Sequence, residues 1–345
     1  MSSTAGSDPR MAFPRRVPER APSAPEAARH APLNTGIDFD AGWVDRVRVN
    51  LSAVERRAAT LPARRTVKKA WQAAWLLKAV SLMDLTTLSA DDTEGRVARL
   101  CAKARAPVRD DLLERLGWGG RPLTTAAVCV YHEMVPAARK ALAGTGIAIA
   151  AVSTGFPAGL SPLELRIEEI RRSVEAGATE IDVVISRRHV LTSNWRALYD
   201  EVRSFRQACG PAHMKTILGT GQLGSIGKVA KAAVVAMMAG SDFVKTSTGM
   251  EPVNATLPVS LVMMRMIREF AERTGQRPGF KPAGGISSAK AALNYLMLVK
   301  EELGDPWLVP QRFRFGASRL LGDIERQLEH HVTGRYSAAH RHPVG

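Results

Sequence analysis

Ile147-Ala148-Ile149-Ala150-Ala151-Val152-Ser153 and Glu180-Ile181-Asp182-Val183-Val184-Ile185 are two short, nearly continuous apolar runs separated by one amphipathic stretch. Between them, residues 162–176 carry the marks of a helix: Ser161 as N-cap, Pro162 at the first helical position, Glu164 and Glu168 early, and Gly177 as the stop. Runs of this length and composition suit strands buried on both faces, so strand, helix and strand make one parallel βαβ unit. Working outward, the same alternation recurs along the chain. Apolar runs occupy 80–86, 125–131, 147–153, 180–185, 213–218, 242–246, 278–281 and 312–316. Most starts lie roughly 20–40 residues apart, the room that one βα unit needs. The longer first gap predicts an extra element near 107–118. Eight such units predict an α/β fold closed as a (β/α)8 TIM barrel. A doubly wound open sheet is the rival, but it usually shows a Gly-rich turn after its first strand, and Asp84-Leu85-Thr86-Thr87 is not one.

The rest of the chain frames this core. Its 345 residues, 45% hydrophobic and 23% charged, have the composition of a globular protein with room for one large domain. Residues 1–35 are rich in Pro, Ala, Ser and Arg without a hydrophobic period and read as a disordered tail. Helical periods over 39–54 (Trp43, Val47, Val54) and 67–80 (Val67, Trp71, Trp75, Leu76, Ala79) predict two helices. The expected organisation is a helical segment 36–79 packed on a barrel 80–334, then a flexible tail 335–345. No apolar run is long enough to span a bilayer, and no signal-peptide pattern opens the chain. Three cysteines without CxxC spacing argue against a disulfide framework or structural zinc. The expected setting is the cytoplasm.

Lys+Arg 48 against Asp+Glu 33 leave a formal charge of +15, an electrostatic footprint that nucleic-acid binders share. Against that reading, no helix-turn-helix, zinc-finger or RNP signature is present, and aromatic residues at 6% leave few stacking platforms. A solvated arginine-rich surface, or attraction of a small phosphate ester, accounts for the charge instead.

In a (β/α)8 barrel the functional residues lie at the C-terminal ends of the strands. Asp84, Asp182, Lys215, Lys245 and Lys281 each lie inside or close one of the apolar runs, and a barrel has no edge strand on which a strand lysine can reach solvent. Only ~0.04% of an ordinary lysine is unprotonated at pH 7. A second ammonium about 5 Å away, at an effective dielectric near 20, repels it by roughly 3 kcal/mol, or about 2.4 pKa units. Such a lysine suits Schiff-base formation with a carbonyl, a carboxylate managing the protons. The alternative is a set of charge-balanced structural pairs, such as Lys215 with Asp182. Gly-rich turns follow the last three runs, at Lys245-Thr246-Ser247-Thr248-Gly249, Lys281-Pro282-Ala283-Gly284-Gly285 and Phe315-Gly316-Ala317-Ser318. Their backbone N–H groups suit a phosphate cup.

Taken in order, the segments 84–88 (Asp-Leu-Thr-Thr-Leu), 180–184 (Glu-Ile-Asp-Val-Val), 242–249, 279–285 and 315–318 resemble the deoxyribose-phosphate aldolase family, over about 64–334 of the chain. The resemblance implies Lys245 as the Schiff-base lysine, Lys281 as the group that lowers its pKa, and Asp182 as the proton relay. It implies a supporting polar network of Asp84 and Lys215. Substrate contacts would come from Thr248, Gly249, Gly284, Gly285, Gly316 and Ser318. The implied reaction is reversible cleavage of 2-deoxy-D-ribose 5-phosphate to acetaldehyde and glyceraldehyde 3-phosphate, with no metal and no cofactor. The partners expected are the phosphorylated sugar and a second copy of the chain, with neither membrane nor nucleic acid.

The chain departs from the family pattern at Met250, where a lysine is common, and at Ser287, where an arginine is common. Arg319 replaces a small hydroxyl residue, and Gln222 stands where a glutamate is often found. Weakened dependence on the phosphate is the expected result. An aldolase preferring non-phosphorylated aldehydes and a barrel that only binds a phosphorylated ligand or nucleic acid are the rival readings. Cys129 is read as packing, and His330, His331, His340 and His342 are read as lacking carboxylate partners. Tyr336 is a candidate to fold over the substrate.

Overall fold

The computed structural model describes residues 33–120 and 122–342. Among the described residues, three helices precede the first strand: α1 (Ala41–Arg46), α2 (Leu51–Arg64) and α3 (Lys69–Ser81). The alternation then runs β1 (Met83–Thr86), α4 (Glu94–Arg105), α5 (Asp110–Arg115), β2 (Ala127–Tyr131), α6 (Val135–Ala141), β3 (Ala148–Ser153), α7 (Leu163–Ala176) and β4 (Glu180–Val184). It continues with α8 (Arg187–Leu191), α9 (Trp195–Cys209), β5 (His213–Ile217), α10 (Ile226–Met238), β6 (Phe243–Lys245), α11 (Leu257–Thr274), β7 (Gly279–Lys281), α12 (Ala289–Glu302), β8 (Phe315–Ala317) and α13 (Leu320–Thr333).

All strands pair in parallel in the order β7-β6-β5-β4-β3-β2-β1-β8. The seam between β7 and β8 is closed by parallel bridges Phe280↔Phe313 and Ala283↔Gly316 and by the Gly316 N–H donating to Pro282 O at 3.0 Å. The expected TIM barrel is therefore the fold. One apolar core fills the space between sheet and helices. Inside the barrel a small cluster of Cys129, Ala150 and Val152 on β2 and β3 faces the polar strands, and these short side chains leave room for long lysines opposite.

The boundaries differ from the sequence reading where caps outweigh periodicity. The 39–54 period is broken, because Asp40 caps α1 through the Trp43 N–H and Asn50 starts α2 through the Ala53 N–H. There are thus three helices where two were expected. Helix α7 starts one residue late: Pro162 is its N-cap, with no side-chain cap from Ser161, while Gly177 ends it at φ 113° as expected. The extra element near 107–118 is α5. The eighth strand is shorter than its apolar run, and residues 312–314 instead approach β7 across the seam.

Most of the expected N-terminal tail lies outside the described residues. Its end does not: Asn34 is buried and donates to Met237 O and Ser241 O. The expected C-terminal tail is also packed as far as described. His342 is buried with its Nε2 2.7 Å from Glu329, and Ser337 is 2.7 Å from the same nitrogen. His342 therefore has the carboxylate partner that sequence spacing did not reveal. Tyr336 is 80% exposed and stacks on His330 of α13, so it does not cover the barrel mouth. Among the described residues no helix is long and apolar enough to cross a membrane.

Candidate active site

Strand register, not sequence proximity, assembles the site. Pleating puts Glu180 and Asp182 on one face of β4, and Asp182 lies opposite Lys215 of β5. Lys245 of β6 lies directly beside Lys281 of β7. Asp182 is the hub: Oδ1 accepts from Lys215 at 2.8 Å, and Oδ2 accepts from Lys245 at 2.7 Å and from Lys281 at 2.8 Å. Lys281 also donates to Asp84 at 2.5 Å. The structure thus brings together all five strand residues singled out by the sequence.

Two members went unrecognised. The Arg314 guanidinium, from the segment leading into β8, donates to Asp84 and Glu180 at 2.6 Å each. Glu180 in turn lies 2.5 Å from Lys215. The available signal was period two: Glu180 precedes Asp182 by two residues on a strand, so both must share a face. Arg314 had no such signal, since its run turns toward β7 before β8 begins.

None of these seven side chains belongs to a residue more than 5% exposed. Their protonation follows from what each can reach. Burial pushes the Lys245 ammonium below its ordinary pKa, the Lys281 charge pushes the same way, and Asp182 only partly opposes them. Burial would lower Lys281 and Lys215 too, but their carboxylate partners outweigh it and hold both above the ordinary lysine value. Burial would raise Asp182, yet Lys215, Lys245 and Lys281 together hold it well below the usual carboxylate range. The arrangement offers one amine set apart as a nucleophile, next to an ionised carboxylate and a protonated lysine. Cys129 is buried with its thiol pKa raised, chiefly by burial, which fits packing.

The three turns expected to meet the substrate adjoin at this end of the barrel. Gly249 lies near Gly284, and Ala283 bridges Gly316. Their free capacity is unequal. Glu251 accepts from the Thr248 N–H, the Gly249 N–H and the Thr248 hydroxyl, and Thr248 Oγ1 accepts from the Met250 N–H. Thr248 and Gly249 are thus engaged by the chain's own carboxylate, itself 3.3 Å from Arg187. Gly284 and Gly285 keep left-handed φ of 76° and 79°, and Gly285 and Ser318 are exposed. Gly316 is there for space: an added Cβ would lie 2.8 Å from Ala283 Cβ and 3.3 Å from Lys281 Cε. Gly316→Ala is expected to cost about 1–3 kcal/mol of stability and to lower kcat by displacing Lys281. Thermal melting and steady-state kinetics check both.

A cleft of about 600 Å³ lies outside the barrel, lined by Arg57, Arg64, Arg65, Trp75 and Glu301 among others. Its three guanidinium groups are already paired with Glu301.

The profile of the DeoC/LacD family aldolases matches residues 78–320, a span that contains every member of the lysine–carboxylate cluster. The chain belongs to this aldolase family. As a DeoC/LacD aldolase it is 61% identical to the human deoxyribose-phosphate aldolase over 90% of this chain and 98% of that one. The mouse deoxyribose-phosphate aldolase is 62% identical over the same shares. Among solved structures, the deoxyribose phosphate aldolase of Aeropyrum pernix, described as a unique tetramer, superposes with a TM-score of 0.54. It is 23% identical, over 77% of this chain and 97% of that one, a likeness that speaks to the aldolase fold alone.

Proposed function

We propose that this chain is a class I lyase that reversibly cleaves 2-deoxy-D-ribose 5-phosphate to acetaldehyde and D-glyceraldehyde 3-phosphate in cytoplasmic deoxyribonucleoside catabolism. Homo-oligomerisation belongs to the same reading, after the tetramer named for the Aeropyrum pernix relative. The observation that carries the proposal is one buried lysine with a lowered pKa, hydrogen-bonded to the carboxylate that a protonated lysine shares.

The free Lys245 amine adds to C1 of the open-chain sugar, and loss of water leaves an iminium, which draws electrons from the C2–C3 bond. That bond breaks as the C3 hydroxyl gives up its proton through water to Asp182, releasing glyceraldehyde 3-phosphate and leaving the acetaldehyde enamine on Lys245. Asp182 relays a proton through water to C2, and hydrolysis of the resulting iminium frees acetaldehyde. Lys281 stays cationic and supports the transfers. Borohydride added during turnover is expected to leave a stable adduct on Lys245 in the peptide map; an unmodified Lys245 with trapping elsewhere overturns the assignment.

Relaxed phosphate dependence is the second reading, favoured by Met250, which is 51% exposed beside the glycine turns. A cation there would add a charged hydrogen bond worth about 1.5–3 kcal/mol. Met250→Lys is therefore expected to raise kcat/KM for deoxyribose 5-phosphate about tenfold or more and to leave free deoxyribose unchanged. Parallel kinetics on the two sugars check this, and an equal change for both counts against it.

A further inference from the structure

We propose that Arg314 keeps Lys245 in its free-amine form by supplying the one positive charge that the buried cluster cannot balance. The cluster holds four basic side chains, Lys215, Lys245, Lys281 and Arg314, against three carboxylates, Asp84, Glu180 and Asp182, all buried. In a medium that solvates charge poorly, such a set is most stable when its total charge is zero, so one base gives up its proton.

Hydrogen bonding decides which. Lys215 reaches three carboxylates, Glu180 at 2.5 Å, Asp182 at 2.8 Å and Asp84 at 3.6 Å. Lys281 reaches Asp84 at 2.5 Å and Asp182 at 2.8 Å. A guanidinium does not deprotonate in proteins, and Arg314 is forked between Asp84 and Glu180. Among the described residues Lys245 has a single carboxylate partner, Asp182 Oδ2 at 2.7 Å, and shares that oxygen with Lys281. Its proton is the cheapest to lose. Without Arg314, three ammonium groups would face three carboxylates in even balance, and no surplus positive charge would favour the free amine.

Arg314 touches none of the reacting atoms. It acts through Asp84 and Glu180 and is a positioning residue for charge. The other titratable groups around Lys245 are Asp182 from β4, Lys215 from β5, Lys281 from β7 and Cys129 from β2. Cys129 is neutral because burial raises its pKa.

The inference rests on Lys245 being the Schiff-base lysine, and the test keeps the two apart. Borohydride trapping on the parent enzyme checks the nucleophile. The ionisation of Lys245 is read separately, without substrate, from the pH dependence of its acetylation by acetic anhydride in the peptide map, and then from the acid limb of kcat/KM. Arg314→Gln is expected to move both midpoints upward by about one pH unit or more. Arg314→Lys, which keeps the charge, is expected to leave them in place. The Arg314→Gln/Glu180→Gln pair has three bases and two carboxylates, so the surplus of one returns and the midpoints move back toward the parent. Glu180→Gln alone enlarges the surplus and is expected to leave the midpoints in place or lower them. An Arg314→Gln enzyme that is slower at unchanged midpoints overturns the inference, as does a double variant whose midpoints stay with the single one. Should Arg314→Gln not fold, an upward shift in Glu180→Gln does the same.

Discussion

A Lys245→Met enzyme is expected to lose aldol cleavage by about 10⁴-fold or more while melting no lower than its parent. The first half follows from chemistry: methionine offers no amine, and no second lysine in the cluster is free to replace it. Lys215 and Lys281 are held protonated by their carboxylates. The second half follows from charge. Removing Lys245 leaves Lys215, Lys281 and Arg314 against Asp84, Glu180 and Asp182, an even balance, and methionine fills a similar volume. Lys245 also makes stability depend on pH with a definite sign. Its folded pKa is lowered, so between that value and the unfolded value of about 10.4 the unfolded chain binds the extra proton, and stability rises with pH. The variant is expected to lack that rise. Denaturant melts of both proteins at neutral and mildly alkaline pH, beside turnover assays, measure it. A destabilised Lys245→Met protein, or one whose melts keep the parent's pH slope, would sink this account of the cluster.

What could be read from the sequence divides along a physical line. Periodicity and spacing are local, so the eight βα units and the stop at Gly177 were legible. So were the strand lysines, because a cation inside a buried strand has to be accounted for by a partner. Caps compete with periodicity over a few residues, which is why Asn50 divided a stretch that hydrophobic spacing had joined. Long-range pairing leaves no local trace. His342 meets Glu329 only because the chain turns back along α13, and Arg314 meets Glu180 only because the barrel closes between them. The same limit governs the glycine turns. A Gly-rich sequence after a strand shows that N–H groups are available, but not that Glu251, two residues past Gly249, already accepts from them.

Asp182→Asn is expected to be damaging on both counts, with kcat lowered about 10²–10⁴-fold and stability lowered by about 3–5 kcal/mol. The amide keeps the shape of the side chain and loses what the cluster uses, a single carboxylate accepting from Lys215, Lys245 and Lys281 at 2.7–2.8 Å. Four bases would then face two carboxylates in a site that excludes water, and the amide offers the lysines one accepting oxygen where the carboxylate offered two. The pH dependence carries the signature. Because the folded-state pKa of Asp182 is depressed, its stabilisation is complete above the unfolded value of about 3.9 and is lost as pH falls toward the folded one. The stability gap between parent and variant should therefore be level across neutral pH and narrow only in acid below about pH 4. Asp182→Asn cannot separate proton relay from charge balance by activity alone, because it abolishes both. Pairing it with Lys215→Met does, because three bases against two carboxylates return the cluster to the parent's surplus of one base. That pair is expected to regain much of the lost stability and little of the lost turnover. Recovery of turnover in step with stability would mean that Asp182 serves as a counter-charge and that another group carries the proton.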